Sequence, residues 1–437
     1  MKRIIRPHPM LLLHGASISG GVARLGSLYG TPMHAPLSHQ PPARPTLGLV
    51  LLLGALTAFG AVSIDLYLPA LPAIAADFAV KIGAVQATMS AFFIGMAIGQ
   101  LVYGPLSDRI GRRPPLLIGA AIYTLASLGC AMAPSLEALI VGRFAQALGA
   151  CAGVVVARAV VSDRFDTVES ARLFSLLFLV LGVAPLLAPS LGAVLLHVSG
   201  WRAIFFVLAG FGLAIGVAIA LRLPESRTQA TADQAADESA VRSYLEVLKT
   251  RRLMGFLLAG AFNGAALFTY ISSSPVLFIG HFGVSPLVFG WIFAGVAVGL
   301  IGSSQVNRAL LQRFAPTQLM QAGSTAAVGF SLLLVAFAVS GAASLAVCVL
   351  LLFLSLASYG FVVSNSMALA LSLMPTRAGA ISALIGSSSF AFGAIATGLL
   401  SLWPAPGPLP MALGMAFGFV GCWLSLHFLA RISRWNA

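Results

Sequence analysis

Twelve stretches of about 20 apolar residues, separated by short polar segments, constrain this chain more than any other feature. A helix rises about 1.5 Å per residue, so about 20 residues cross a hydrocarbon layer about 30 Å thick. Because backbone polar groups in lipid must be satisfied within their own segment, each stretch is predicted to be a transmembrane helix. The stretches lie near residues 46–68, 84–106, 115–133, 136–157, 172–196, 201–223, 253–279, 286–306, 317–339, 341–364, 379–402 and 409–430.

The composition supports the same class of protein. Of the 437 residues, 59% are hydrophobic and only 8% are charged, whereas soluble domains carry about 25% charged residues. The fold class predicted is therefore an all-α membrane protein. Four cysteines fall in or beside the predicted spans without paired spacing, so neither a disulfide framework nor a metal site is expected, and no cofactor is predicted. They are Cys130, Cys151, Cys348 and Cys422.

The positive charges fall almost entirely in alternate loops. The opposite loops hold only Lys81 and Arg202. By the positive-inside rule, this asymmetry predicts that both termini are cytoplasmic. It also accounts for the net charge of +13 without a nucleic-acid partner, since the charges are spread over short loops. The positive loops carry Arg109, Arg112, Arg113, Arg158, Arg164, Arg172, Arg222, Arg227, Arg242, Lys249, Arg251, Arg252, Arg308, Arg313, Arg377, Arg431 and Arg434.

Four segments are expected along the chain. Residues 1–45 are predicted to be a disordered cytoplasmic tail, and translation from Met33 would remove most of it. Residues 46–223 and 253–437 each form a six-helix bundle. Residues 224–252, with five of the twelve acidic residues, form a solvated linker with a short surface helix at 242–249. Two helical halves joined in this way are typical of secondary transporters, which bind substrate near the midplane.

The segment GQLVYGPLSDRIGRR, residues 99–113, joins the second and third spans. Gly104 is expected to allow close helix approach, and Gly111 to permit a tight turn. Asp108 is the one acid in the segment, suited to pair with arginine. The alternative is that the arginines simply anchor a loop. The second-half counterpart, residues 302–316, has no acid. The arginines of the segment are Arg109, Arg112 and Arg113.

A buried arginine is predicted in the fourth span, in the segment GRFAQALGA at residues 142–150. Arg143 lies about 10 Å from the outer end of that helix. Arginine inside a membrane is costly and marks a partner or a pathway, although a side chain reaching to the outer interface is the simpler alternative. Gln146 and Gly149 complete the pattern.

The fifth span carries GVAPLLAPSLG at residues 182–192. Two prolines and two glycines are expected to bend and thin this helix and let neighbours pack closely. These residues are Gly182, Pro185, Pro189 and Gly192.

With the first-span segment SIDLYLPALPAIAADF, residues 63–78, these motifs resemble the major facilitator superfamily, in its bicyclomycin/chloramphenicol-resistance (Bcr/CflA) branch. The resemblance implies twelve helices in two pseudo-symmetric bundles, and drug:proton antiport in the inner membrane by a chain that works as a monomer. It implies that the acid and arginines of residues 99–113 latch the cytoplasmic ends of the halves. It also implies that Arg143 takes part in proton coupling and that the fifth-span segment is an antiporter motif.

Asp65 is the candidate proton carrier, because it lies within a predicted span whereas the other eleven carboxylates lie in loops or at helix ends. Burial disfavours its charged form, and a nearby Arg143 at similar depth would favour it. The alternative is a hydrated, structural carboxylate about three residues from the outer end of the span.

Polar residues within the spans are candidates to line a substrate cavity, or else to pack between helices. Efflux of drug-like small molecules is the leading function, and proton-coupled transport of a metabolite such as an amino acid or nucleoside is the alternative. A membrane enzyme is not favoured, because no P-loop, metal cluster or nucleophile motif is found. The cavity candidates are Tyr67, Tyr123, Asn263, Tyr270, Tyr359 and Asn365.

Overall fold

A computed structural model describes residues 46–229, 231–233, 239–403 and 407–432. The predicted tail, Met33 and Arg434 lie outside the described residues. Within them, twelve helices are long and apolar enough to span a membrane. They are α1 (Leu47–Asp77), α2 (Ile82–Ile110), α3 (Arg113–Ala131), α4 (Leu136–Arg164), α5 (Arg172–Ser199), α6 (Trp201–Arg222), α7 (Arg251–His281), α8 (Pro286–Leu310), α9 (Pro316–Val339), α10 (Leu345–Leu373), α11 (Pro375–Ser401) and α12 (Pro408–Ala430).

The first helix is longer than its apolar stretch predicts. It continues beyond residue 68 through a single 3₁₀ turn, Leu68–Ala70, to Asp77. Pro69 and Pro72 sit in the first positions of the two short segments, where a missing N–H costs nothing. The prolines therefore redirect the helix without ending it. Asp65 consequently lies about 18 Å before the end of α1, at about 1.5 Å per residue, and not near its outer end as expected.

The two halves repeat the same packing. In the first half α2 packs on α4, α3 on α4 and α3 on α6, and in the second half α8 packs on α10, α9 on α10 and α9 on α12. The halves meet where α2 packs on α11 and where α5 packs on α8. These two interfaces are equivalent, because α2 and α5 of the first half correspond to α8 and α11 of the second. The predicted fold, twelve helices in two pseudo-symmetric bundles, is confirmed.

The two membrane faces of the protein are distinct. The arginine-rich face is the one where α2 ends and α11 begins; there Arg109 and Arg377 line one cleft, as the charge pattern predicts. The opposite face is the one where α2 begins. Toward it, Gln86 of α2 donates to the main-chain oxygen of Ser272 at 3.0 Å, and Ser90 donates to that of Ala394 at 2.7 Å. The halves are thus closed against each other on the opposite-face side.

A short helix of the linker, Ala240–Lys249, lies across the arginine-rich face. Its Tyr244 hydroxyl donates to the main-chain oxygen of Leu101 in α2 at 2.9 Å. Its Glu246 forms an ion pair with Arg377 of α11 at 3.0 Å. The linker helix, which the sequence predicts over 242–249, therefore contacts both halves.

Candidate functional site

A cavity of about 370 Å³ lies between the two halves, at the middle of the helices and toward the arginine-rich face. Its walls are mainly apolar and aromatic. Only two of its lining residues are ionisable at neutral pH, Asp65 and Arg158. The aromatic lining consists of Phe174, Phe268, Tyr270, Phe293 and Phe390. A cavity of this kind suits a bulky apolar molecule held by few polar groups.

The Asp65 side chain contributes to this cavity and is only 3% exposed. In the described part of the chain it has no side-chain hydrogen bond or ion pair. Tyr270 of α7 lines the same cavity, and its buried hydroxyl has no hydrogen-bond partner among the described residues. The alternative of a hydrated surface carboxylate does not fit this burial. Asp65 is therefore a buried carboxylate that borders an apolar cavity.

Arg143 is completely buried in the first half, so its side chain does not reach the outer interface. Its Nη1 donates to the main-chain oxygen of Ser63 at 3.1 Å and to Gln146 Oε1 at 2.6 Å. Its guanidinium also lies over the rings of Tyr67 and Phe92, 4.6 and 4.2 Å from their centroids. Oxygen dipoles and aromatic faces thus solvate this cation in place of a carboxylate.

Arg143 and Asp65 form no ion pair among the described residues, contrary to the expectation that they lie together. Arg143 binds α1 at Ser63, two residues before Asp65. Residues two apart on a helix with 3.6 residues per turn point to nearly opposite sides. Asp65 therefore points into the cavity, while Arg143 stays behind α1. Their connection runs through the backbone of α1.

The rest of the fourth-span motif serves the packing around Arg143. Gln146 Nε2 donates to Ser127 Oγ at 2.8 Å, which orients the oxygen that Arg143 binds. A Cβ at Gly149 would lie 2.5 Å from the backbone nitrogen of Tyr123. Gly149 thus lets α3 approach α4 closely, and this approach buries the arginine.

The fifth-span motif lies where α5 meets both α1 and the second half. The helix passes Pro185 and Pro189 without a break, and Pro185 lines the cavity. A Cβ at Gly192 would overlap the main-chain oxygen of Leu66 in α1, and one at Gly182 would lie 3.3 Å from Ile301 of α8. The expected close packing is present, at the helices that carry Asp65 and the interface between halves.

Arg112 is the centre of the latch motif. Its Nε donates to Asp163 Oδ2 of α4 at 2.7 Å, and its Nη1 donates to Ser107 Oγ at 2.8 Å and to Asp108. Asp108 and its arginine partner therefore belong to the same half, rather than joining the two halves as the resemblance implies. The linker helix, by contrast, contacts both halves at this face.

The two glycines of the latch motif and its other two arginines, Arg109 and Arg113, have different roles. Gly104 borders the open cleft and has no neighbour within 4 Å of a Cβ, so it does not bring helices together as expected. Gly111 has φ of +99° and a Cβ there would lie 2.6 Å from Glu225 Oε2, which confirms the tight turn. Arg113 Nη2 donates to the main-chain oxygen of Ala220 at 2.6 Å, and Arg109 lines the cleft.

Glu225, which the sequence presents only as part of a linker, caps the beginning of α3. It accepts from the backbone nitrogens of Arg112 at 2.8 Å and Arg113 at 3.1 Å. Burial raises the pKa of the Glu225 carboxyl, but backbone N–H groups of Arg112, Arg227, Arg113 and Ser226 outweigh it, so the pKa lies below its ordinary value. The sequence feature that could have predicted this cap is an acidic residue shortly after α6, because a carboxylate is stabilised at a helix N-terminus such as that of α3.

Of the six predicted cavity residues, Tyr270 lines the cavity and the other five lie elsewhere. Tyr67 and Tyr123 hydrogen bond to Thr88 and Ser63, at 2.8 and 2.7 Å. Asn365 donates to Asn307 Oδ1 at 2.8 Å. Tyr359 packs against the apolar core, and Asn263 is buried with no hydrogen-bond partner among the residues described. Tyr67, Tyr123 and Asn365 therefore bond to neighbouring helices of their own half.

Sequence comparison decides the family. A profile described as Major Facilitator Superfamily matches residues 50–398. The chain belongs to this superfamily of transporters. It is 35% identical over 83% of its length to an uncharacterized MFS-type transporter, YdgK, of Bacillus subtilis, covering 91% of that protein. It is 29% identical over 88% of its length to a bicyclomycin resistance protein homolog of Haemophilus influenzae, covering 96% of it.

A chloramphenicol resistance protein of Pseudomonas aeruginosa is 32% identical over 65% of the chain and 67% of its own length. The predicted resemblance to this branch of the superfamily is confirmed. Solved structures agree in fold: the POT family transporter PepTSo has a TM-score of 0.69 at 16% identity, covering 89% of this chain and 98% of its own. A D-xylose-proton symporter has a TM-score of 0.66 at 17% identity, covering 87% and 96%.

Proposed function

We propose that this transporter exports small, mainly apolar, drug-like molecules across the bacterial inner membrane in exchange for protons. The observation that carries the proposal is the Asp65 carboxyl, which borders the apolar cavity between the halves and has no hydrogen-bond partner in the part of the chain that the structure describes. The names of the relatives, which include bicyclomycin and chloramphenicol resistance proteins, support drug-like substrates.

The proposed exchange follows from the cost of a charge in an apolar cavity. Ionised Asp65 lowers its free energy by binding either a proton or a polar group of the substrate. The proton and the substrate therefore compete for one carboxyl group. If the transporter switches between its inward-open and outward-open states only with one of them bound, it exchanges one for the other. Tyr270, on the other half, lines the same cavity as Asp65.

Arg143 acts in this scheme as a positioning residue. It does not touch the cavity, and its link to Asp65 is the Ser63 carbonyl. A fixed cation at that carbonyl holds the α1 backbone two residues before the proton site, just ahead of the 3₁₀ turn. Movement of α1 during the cycle is thereby coupled to the packing of α2, α3 and α4.

The arginine-rich face is assigned to the cytoplasm on the positive-inside rule, with both termini on that side. The Arg112 cluster and the linker helix would then control opening toward the cytoplasm, where substrate enters. One chain contains the whole cavity, which supports a monomer as the working unit.

A drug-susceptibility panel in an efflux-deficient bacterial host tests the proposal. Expression of the wild type is expected to raise the inhibitory concentration of at least one apolar drug fourfold or more, and Asp65→Asn is expected to abolish the increase at equal membrane abundance. Increased sensitivity on expression indicates uptake, and it would contradict export.

A further inference from the structure

Arg158 is the second charged group of the central cavity, and the proposed exchange gives it no role. It lies on α4 about 9 Å before the end of that helix, at about 1.5 Å per residue. Its exposed surface faces the cavity. Its Nε donates to the main-chain oxygen of Val154 at 3.1 Å, so the side chain folds back by one helical turn, away from the arginine-rich face.

No carboxylate lies within ion-pairing distance of Arg158 in the part of the chain that the structure describes. The acid that follows it on α4, Asp163, is engaged by Arg112 at 2.7 Å. An arginine within a membrane span normally pairs with an acid or faces a water-filled cavity or a ligand pathway. Among the described residues only Nε has a protein partner, which leaves four of the five N–H donors for a ligand in the cavity.

The cavity thus holds opposite charges at two levels. Gly153 of α4 lies against Leu56 of α1. Arg158 follows Gly153 on α4 and lies about 7 Å from this contact toward the arginine-rich face, at about 1.5 Å per residue. Asp65 follows Leu56 on α1 and lies about 13 Å from the contact toward the opposite face. Their Cα atoms are therefore separated by about 20 Å along the helices. Aromatic side chains, including Phe174, Phe268 and Phe390, occupy the walls of the same cavity.

We propose that Arg158 binds an acidic group of the transported molecule, and that the substrates are apolar or aromatic molecules carrying a carboxylate, a sulfonate or a similar organic anion. Arginine stays charged at all physiological pH, so this contact persists whether or not Asp65 holds a proton. Arg158 supplies affinity for the acidic end, while Asp65 supplies the response to protons. The inference rests on the proposed function, because it assigns the substrate class of the same cavity.

Two fluorescent probes with the same aromatic body test the inference. 8-Anilinonaphthalene-1-sulfonate carries an anion, and N-phenyl-1-naphthylamine does not. Both are titrated into purified protein in lipid nanodiscs, with empty nanodiscs subtracted. Arg158→Gln is expected to weaken sulfonate binding about tenfold or more while changing binding of the neutral probe less than twofold, since hydrogen bonds to charged groups are the stronger ones. Arg158→Lys is expected to retain most of the sulfonate affinity.

The matched control is Arg313→Gln, which removes the same charge from an exposed position outside the cavity. It is expected to leave both probes unchanged. Unchanged sulfonate affinity in Arg158→Gln, or an equal loss in Arg313→Gln, would overturn the inference.

A measurement on the wild type alone decides the matter if Arg158→Gln does not fold. Bound 8-anilinonaphthalene-1-sulfonate is displaced by 1-naphthalenesulfonate or by the neutral 1-naphthalenesulfonamide. The sulfonate is expected to compete at least tenfold better, and equal competition overturns the inference. These readouts contain no proton gradient, so failure of proton coupling would leave them intact, and their failure would leave proton-coupled export of neutral compounds standing.

Discussion

Arg143 holds the main-chain oxygen of Ser63 at 3.1 Å, while Asp65, two residues later, points into the central cavity. One helix therefore connects a buried fixed cation to a carboxyl group that faces the ligand space. A substitution at Arg143 is consequently expected to act on Asp65 through the position of α1, and not through direct charge pairing.

Replacing Arg143 with glutamine is predicted to lower transport tenfold or more and to lower the thermal midpoint of the purified protein. The substitution removes the donor that Ser63 and Gln146 share, and a hydrogen bond from a charged group is worth about 1.5–3 kcal/mol. The pH profile of the remaining transport is expected to shift, because the backbone beside Asp65 moves.

Arg202→Gln is the control for loss of an arginine. Arg202 pairs with Asp77 at an exposed position, where ion pairs contribute about 0–1 kcal/mol. Equal losses in the two variants, with an unchanged pH profile, would argue against a positioning role for Arg143.

Gly192→Ala is predicted to destabilise the protein by about 1–3 kcal/mol, the usual range for overpacking. Its new methyl group would overlap the main-chain oxygen of Leu66, so α5 must move away from α1. Gly210→Ala serves as the control, since nothing lies within 4 Å of a Cβ there. Thermal unfolding of the two variants in the same detergent gives the comparison, and similar midpoints would contradict the packing described.

Glu225 is predicted to make stability depend on acid pH. Hydrogen bonds from backbone N–H groups hold its pKa below the ordinary value of 4.5. A carboxyl whose pKa is lower in the folded state than in the unfolded state stabilises the fold at pH values above the unfolded-state pKa. This stabilisation is lost as the pH falls through the folded-state pKa. The melting temperature of the wild type should therefore fall more steeply below about pH 4.5 than that of Glu225→Gln; parallel curves would exclude this cap as the cause.

Tyr244→Phe is predicted to loosen the linker helix from α2. The change removes one hydrogen bond, to the main-chain oxygen of Leu101, worth about 0.5–1.5 kcal/mol. Amide hydrogen exchange in residues 240–249 should accelerate about two- to tenfold. Tyr103→Phe is the control, because in the described residues the Tyr103 hydroxyl has no hydrogen-bond partner. Acceleration in both variants would mean that the Leu101 contact does not hold the linker helix.

The sequence predicts the number, type and approximate limits of the helices because lipid imposes length and apolarity on each one separately. It also identifies Asp65 and Arg143, since ionisable residues are rare in such spans. The predicted helix ends are wrong where a helix is longer than its apolar stretch. α1 continues past Pro69 and Pro72 to Asp77, and α4 continues to Arg164.

The direction in which a side chain points is harder to predict, because it depends on neighbours far away in the sequence. Tyr67 and Tyr123 look like cavity residues, yet each has a partner on another helix, Thr88 and Ser63. Arg158 shows the reverse error. Its position near a helix end suggests a loop charge, and only the packing of α1, α4 and α5 turns it toward the cavity.

Proton release during transport in sealed proteoliposomes tests the central claim most directly. With the wild type, adding a transported drug is expected to release protons, and flux should follow an imposed pH gradient. Asp65→Asn should lose both responses, by tenfold or more, while binding the drug and unfolding at a normal temperature. Asp77→Asn, at the end of α1, should keep both. Flux through Asp65→Asn that still follows the pH gradient at the wild-type rate would contradict the account.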